Sequence, residues 1–111
     1  MEILKSTLNG VVLISLSGNV MGGPEAVKLN EEINTILDAG NKKVILDLSR
    51  VERMNSSGLG ILINALTTFK QNGGELKLAC LSPRVAGLLS VTKLNSIFES
   101  FDSVDEALNA F

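Results

Sequence analysis

Residues 44 to 60 read Val44-Ile45-Leu46-Asp47-Leu48-Ser49-Arg50-Val51-Glu52-Arg53-Met54-Asn55-Ser56-Ser57-Gly58-Leu59-Gly60, and this stretch decides the fold. Lys43 to Leu48 is a short apolar run with polar flanks, the pattern of a strand covered on at least one face. Leu59, Leu62, Ile63, Leu66 and Phe69 then repeat at helical spacing until Gly73-Gly74, where glycine can take the left-handed conformation that ends a helix. A strand therefore feeds a helix through a polar loop, and the small hydroxyls of Ser56 and Ser57 fall at the helix N-terminus. The first N–H groups of a helix are free and its dipole is positive there, so a hydroxyl at that place can carry a phosphoryl group without disturbing the fold.

Toward the N-terminus, Glu2 to Thr7 and Val11 to Ser17 flank Asn9-Gly10, a dipeptide suited to a tight hairpin turn. After a loop from Gly18 to Gly23, Pro24 suits a first helical turn. Ala26, Leu29, Ile33, Ile36 and Leu37 then share one helix face up to Gly40. Toward the C-terminus, Glu75 to Ala79 reads as a further strand. Ser82-Pro83 reads as an N-cap and first helical residue leading into Val85, Leu88 and Leu89. Ser96 to Phe101 is expected to be a short strand, and Ser103-Val104-Asp105-Glu106 a capping box opening a last helix that runs to Phe111. The order ββαβαβα, followed by βα, predicts an α/β domain. Its central sheet is mostly parallel, with Lys43 to Leu48 in the middle, an N-terminal antiparallel hairpin strand at the edge and amphipathic helices around it. In such sheets functional groups gather beyond the strand C-termini, where Ser56 lies.

Composition removes most enzyme classes. The 111 residues suffice for one domain, and 45% hydrophobic content can supply its core without disulfides or metal. There is no histidine, so a Ser-His-Asp or Cys-His site within one chain is impossible, and a zinc site is not expected. Neither a phosphate-binding P-loop nor a complete dinucleotide glycine fingerprint occurs, and no cofactor is expected. Ten basic and twelve acidic residues are scattered along the chain, which argues against nucleic acid as a partner. The apolar runs are far shorter than the ~18 residues of a membrane span. A single cysteine, Cys80, and an N-terminus without an apolar signal core fit a cytoplasmic protein.

From the residues alone, two readings of Asn55-Ser56-Ser57 stand: a helix cap and nothing more, or a phosphoacceptor at Ser56. Gly58 and Gly60 would let another backbone approach the helix start. Ser57 caps the helix or bonds the loop, and Met54 packs beneath it. Met21, beside Gly22-Gly23, is either an exposed contact or a core plug. Cys80 is read as a buried structural cysteine, and Asp47 as structural.

At Val44 to Ser49 followed by Met54 to Gly60 the chain resembles the STAS family, in particular bacterial anti-sigma factor antagonists. Gly73-Gly74-Glu75, the Ser82-Pro83 helix start and the Leu94 to Phe98 segment extend the resemblance over nearly the whole chain. It implies one STAS domain over residues 1–111, not an enzyme. In that family a serine kinase that is also the anti-sigma factor phosphorylates the first serine of an Asp-Ser-Ser/Thr-Gly-Leu-Gly motif, the position of Ser56. The unmodified antagonist binds this kinase and frees a sigma factor, and a metal-dependent serine phosphatase later restores the serine. On this resemblance Met54, Asn55, Ser57, Gly58, Gly60 and Met21 are expected to face the partner, and the chain to be a monomer or weak dimer. Two positions depart from the family pattern: Asn55 stands for the aspartate, and Gly18-Asn19-Val20-Met21 for a Gly-Glu-Leu-Asp loop. A STAS scaffold subunit of a transporter or signalling complex, without a phosphate cycle, is the alternative.

Overall fold

Asn9 and Gly10 both adopt positive φ, 52° and 79°, as the two central residues of a tight hairpin turn must when Leu8 pairs with Val11. The computed structural model describes the whole chain, Met1 to Phe111. The hairpin joins β1 (Glu2–Leu8) to β2 (Val11–Ser17). There follow α1 (Pro24–Asp38), β3 (Lys43–Arg50), α2 (Ser56–Gln71), β4 (Glu75–Ala79), α3 (Pro83–Val91), a 3-10 turn (Leu94–Ser96), β5 (Glu99–Phe101) and α4 (Val104–Asn109). The sheet order is β1-β2-β3-β4-β5, antiparallel between β1 and β2 and parallel elsewhere, so β3 is central as expected.

Alternation along the strands builds two cores. Val12, Ile14 and Leu16 of β2, Val44, Leu46 and Leu48 of β3 and Leu76 and Leu78 of β4 face α1, α2 and α3 in the main cluster. Val11, Ile45 and Ala79 point the other way, where α4 covers them with Ala107. β3 is therefore buried on both faces, which is why its sequence is an uninterrupted apolar run rather than an alternating one. Asp47, on the face of Ile45, accepts the Ser49 N–H at 3.0 Å and the Ser15 hydroxyl at 3.4 Å, the structural role expected of it.

Three expectations need correction. Ser96 to Phe98 is not strand: Lys93 takes a left-handed turn (φ 62°), a 3-10 turn follows, and pairing with β4 begins only at Glu99. Phe98 instead drops into the main core. The last helix ends at Asn109, although Ser103 caps it by accepting the Glu106 N–H at 3.1 Å. Cys80 is half-buried rather than buried, with φ 61° just past the end of β4. Burial and the neighbouring Asp47 carboxylate push its thiol above the ordinary value. The folded chain thus holds the thiol proton more tightly than the unfolded chain, so stability is expected to fall as pH rises through and above the ordinary thiol range. Cys80 is also expected to react only slowly with iodoacetamide near pH 7, and timed alkylation followed by mass spectrometry checks this.

A buried lysine ties β4 to β5 and to the C-terminal Phe111. The Lys77 ammonium lies 2.9 Å from Glu99, 3.9 Å from Glu75 and 4.7 Å from the centre of the Phe111 ring. Both carboxylates are largely exposed (Glu75 61%, Glu99 65%), so solvent screens the ion pairs, and the packed stem and aromatic contact carry most of the effect. Lys77→Ala is expected to cost about 1–2 kcal/mol, and Lys77→Met roughly half as much or less, in thermal unfolding.

Candidate functional site

Two connections meet at the C-terminal end of the sheet. The segment after β3 is zipped to the segment after β2: the Gly18 N–H donates to the Arg50 carbonyl at 3.1 Å, the Val20 N–H to the Arg53 carbonyl at 3.0 Å, and Val20 bridges Met54 in parallel. Val20 and Val51 are buried and anchor the two segments. Met54 is half-buried and packs on the main core, beneath the serine loop as expected.

Asn55 is the N-cap of α2. Its backbone is extended (φ −103°, ψ −176°), and its side-chain oxygen accepts the Gly58 N–H at 2.8 Å. Its carbonyl accepts the Leu59 N–H at 2.9 Å and so starts the helix. Ser56 and Ser57 are the first two helical residues, both exposed. Ser57 is thus not the cap. Because Asn55 serves the third helical N–H, the N–H groups of Ser56 and Ser57 face outward without a helical partner, and no acidic residue occupies the first turn to repel an anion. Asn55→Ala is expected to lower stability by about 1 kcal/mol, or a melting temperature lower by roughly 4–6 °C, measured by calorimetry.

The loop before α1 leans on this helix start. A Cβ on Gly58 would lie 1.8 Å from the Val20 carbonyl oxygen, so the backbone that approaches this buried glycine is the chain's own. One turn of loop further, a Cβ on Gly22 (φ 97°) would lie 2.7 Å from the Ser57 Cβ. Met21 stands between these contacts. It is 40% exposed, so it is a surface residue and not a core plug, and its N–H donates to the Glu25 carboxylate at 3.1 Å. Gly60 is exposed with open space at its Cβ position, so no close approach within the chain requires glycine there.

Asn55, Ser56, Ser57 and Met21 are therefore surface residues around one helix start, with Gly60 exposed at the start of the second turn, while Met54 and Gly58 support it from below. The contact between the Val20 carbonyl and Gly58 was not legible in the sequence. Its only signal was the glycine-rich loop Gly18 to Gly23. No helix is long and apolar enough to cross a membrane.

Comparison with known proteins places this architecture. The STAS domain model matches residues 2–107. BtrV of Bordetella bronchiseptica, named as a candidate anti-sigma factor antagonist, is 30% identical over 111 residues, covering 100% of this chain and 95% of that protein. The anti-sigma F factor antagonist of Paenibacillus polymyxa is 27% identical, covering 89% of this chain and 85% of the relative. The crystal structure of an anti-sigma factor antagonist from Mycobacterium paratuberculosis superposes with a TM-score of 0.84 at 26% identity, covering 98% of this chain and 92% of that one. The chain belongs to the STAS domain family, with relatives named anti-sigma factor antagonists.

Proposed function

We propose that this chain is a cytoplasmic, non-enzymatic anti-sigma factor antagonist whose exposed Ser56 is the phosphoacceptor of a partner-switching cycle. The observation that carries the reading is the position of Ser56: first residue of a 16-residue helix, exposed, beside unpaired helical N–H groups and flanked by the Met21 loop. Unmodified, this surface binds an anti-sigma factor serine kinase and releases the sigma factor to transcription. Phosphorylated, it lets the kinase go, and a metal-dependent serine phosphatase resets it. The chain has no histidine, and catalysis belongs to the partner, with Ser56 as substrate.

Incubation with ATP and the anti-sigma factor kinase of the same genome, followed by peptide-resolved mass spectrometry, tests this. Phosphate on Ser56 and on no other residue is the expected result. An unmodified Ser56, both there and in protein isolated from its native cells across growth conditions, overturns it. That outcome favours the second reading, a STAS scaffold subunit without a phosphate cycle, which the observation at Asn55 supports: its amide caps α2 without supplying the carboxylate of the family motif.

A further inference from the structure

The chain has only three arginines, Arg50, Arg53 and Arg84, and all three lie at the Ser56 end of the sheet. Arg50 closes β3, Arg53 follows it on the connection to α2, and Arg84 is the second residue of α3. None of the seven lysines lies between Arg50 and Ser56 or between Ala79 and Val85. Glu52 and Arg53 from one connection, with Ser82, Pro83 and Arg84 from the next, line an open groove of about 390 Å³ in which the Pro83 ring is the one apolar side chain of the wall. None of the arginines has a carboxylate within 4.0 Å; the ion pairs of the molecule belong to Met1, Lys5 and Lys77. Two guanidinium groups are thus left unpaired in one groove, on a chain whose net charge is −2.

We propose that the Arg53 and Arg84 groove docks an acidic segment of the partner that reads Ser56, each guanidinium holding a partner carboxylate. This rests on the reading that the partner covers the start of α2, since Arg53 lies three residues before Ser56 on the same connection. The chemistry selects the occupant. Guanidinium forks match carboxylates bidentately, which a lysine cannot do. A wall whose one apolar side chain is the Pro83 ring offers little to the hydrophobic face of a docking helix, which needs a row of apolar pockets. Glu52 on the same wall leaves the groove one positive charge in excess, a match for one or two placed carboxylates rather than for the continuous charge of a nucleic acid. A single phosphate group would fill only a fraction of the space. Charges at the rim of an interface act chiefly on encounter, so the groove steers the partner onto Ser56 and its effect is screened by salt.

The test is an amide-shift titration of the isotope-labelled chain with a short polyglutamate peptide, with inorganic phosphate at matched ionic strength alongside. With polyglutamate, shifts confined to Glu52, Arg53, Ser82 and Arg84, absent in the Arg53→Gln/Arg84→Gln variant of unchanged melting temperature, are expected. Equal shifts with phosphate would make the groove a general anion site and overturn the proposal, as would shifts that are scattered or absent at low millimolar peptide. No kinase takes part in this measurement, so its failure is distinct from failure of the Ser56 reading. With the anti-sigma factor in hand, the double variant is expected to associate about tenfold more slowly at low salt and to lose the salt dependence of its rate. Association at the wild-type rate with unchanged salt dependence overturns the proposal.

Discussion

Gly58→Ala is expected to destabilise the domain by roughly 3 kcal/mol and to lower its melting temperature by about 10–15 °C, whereas Gly60→Ala is expected to raise stability slightly. The two glycines sit two residues apart near the start of α2, and their surroundings set opposite signs. A methyl group at Gly58 would lie 1.8 Å from the Val20 carbonyl oxygen, 2.6 Å from its carbon and 3.0 Å from the Met54 side chain. The nearest of these are backbone atoms, which no rotamer change can move. Val20 cannot retreat cheaply either, because its side chain is fully buried and its N–H is bonded to Arg53. Relief would have to separate the two connections that form the site. At Gly60 the space is open, and alanine removes the entropic cost of glycine in a helix, worth about 0.5–1 kcal/mol. Calorimetry of the two variants checks both signs, and a Gly58→Ala variant that melts with the wild type would contradict this account of the contact.

Ser56→Asp is expected to weaken binding of the anti-sigma factor kinase about a hundredfold or more while leaving the melting temperature unchanged or slightly higher. In the free domain the new charge meets outward-facing helical N–H groups, water and a first turn without carboxylates, where the dipole favours it by roughly 0.3–1 kcal/mol. Under a bound partner the same charge loses its water, and an unpaired buried charge costs several kcal/mol. Ser56→Ala separates charge from the loss of a hydroxyl contact and is expected to bind within about fivefold of wild type, since a single neutral hydrogen bond is worth about 1 kcal/mol. Phosphoserine, with about −1.5 to −2 charges, should act more strongly than aspartate. Isothermal titration with the three proteins checks this, and equal affinity of Ser56→Asp and wild type would remove charge as the switching principle.

The aromatic-poor, histidine-free sequence displays its fold through local signals that tertiary packing did not need to overrule. Asn9-Gly10 demanded positive φ, Pro24 and Ser82-Pro83 marked helix starts, and Gly73-Gly74 marked a helix end, and each signal acts within a few residues of itself. The segment after Thr92 failed for the complementary reason. Ile97 and Phe98 are apolar neighbours that suit a strand, but Phe98 enters the main core from a 3-10 turn, and only the position of β4 decides where pairing begins.

At the site, the helix start, its capping asparagine and the serine beside it were legible because a cap is a contact between residues three apart, here Asn55 and Gly58. What the sequence by itself determined is the set of elements, their order and the placing of Ser56 at a helix N-terminus. What only the tertiary structure decided is that Gly58 holds the Val20 carbonyl, that Met21 stands exposed beside the serines, and that Arg53 and Arg84 share one groove. These pairs are separated by some thirty residues or more, and which distant segments meet is set by the sheet order that packs both connections at one end.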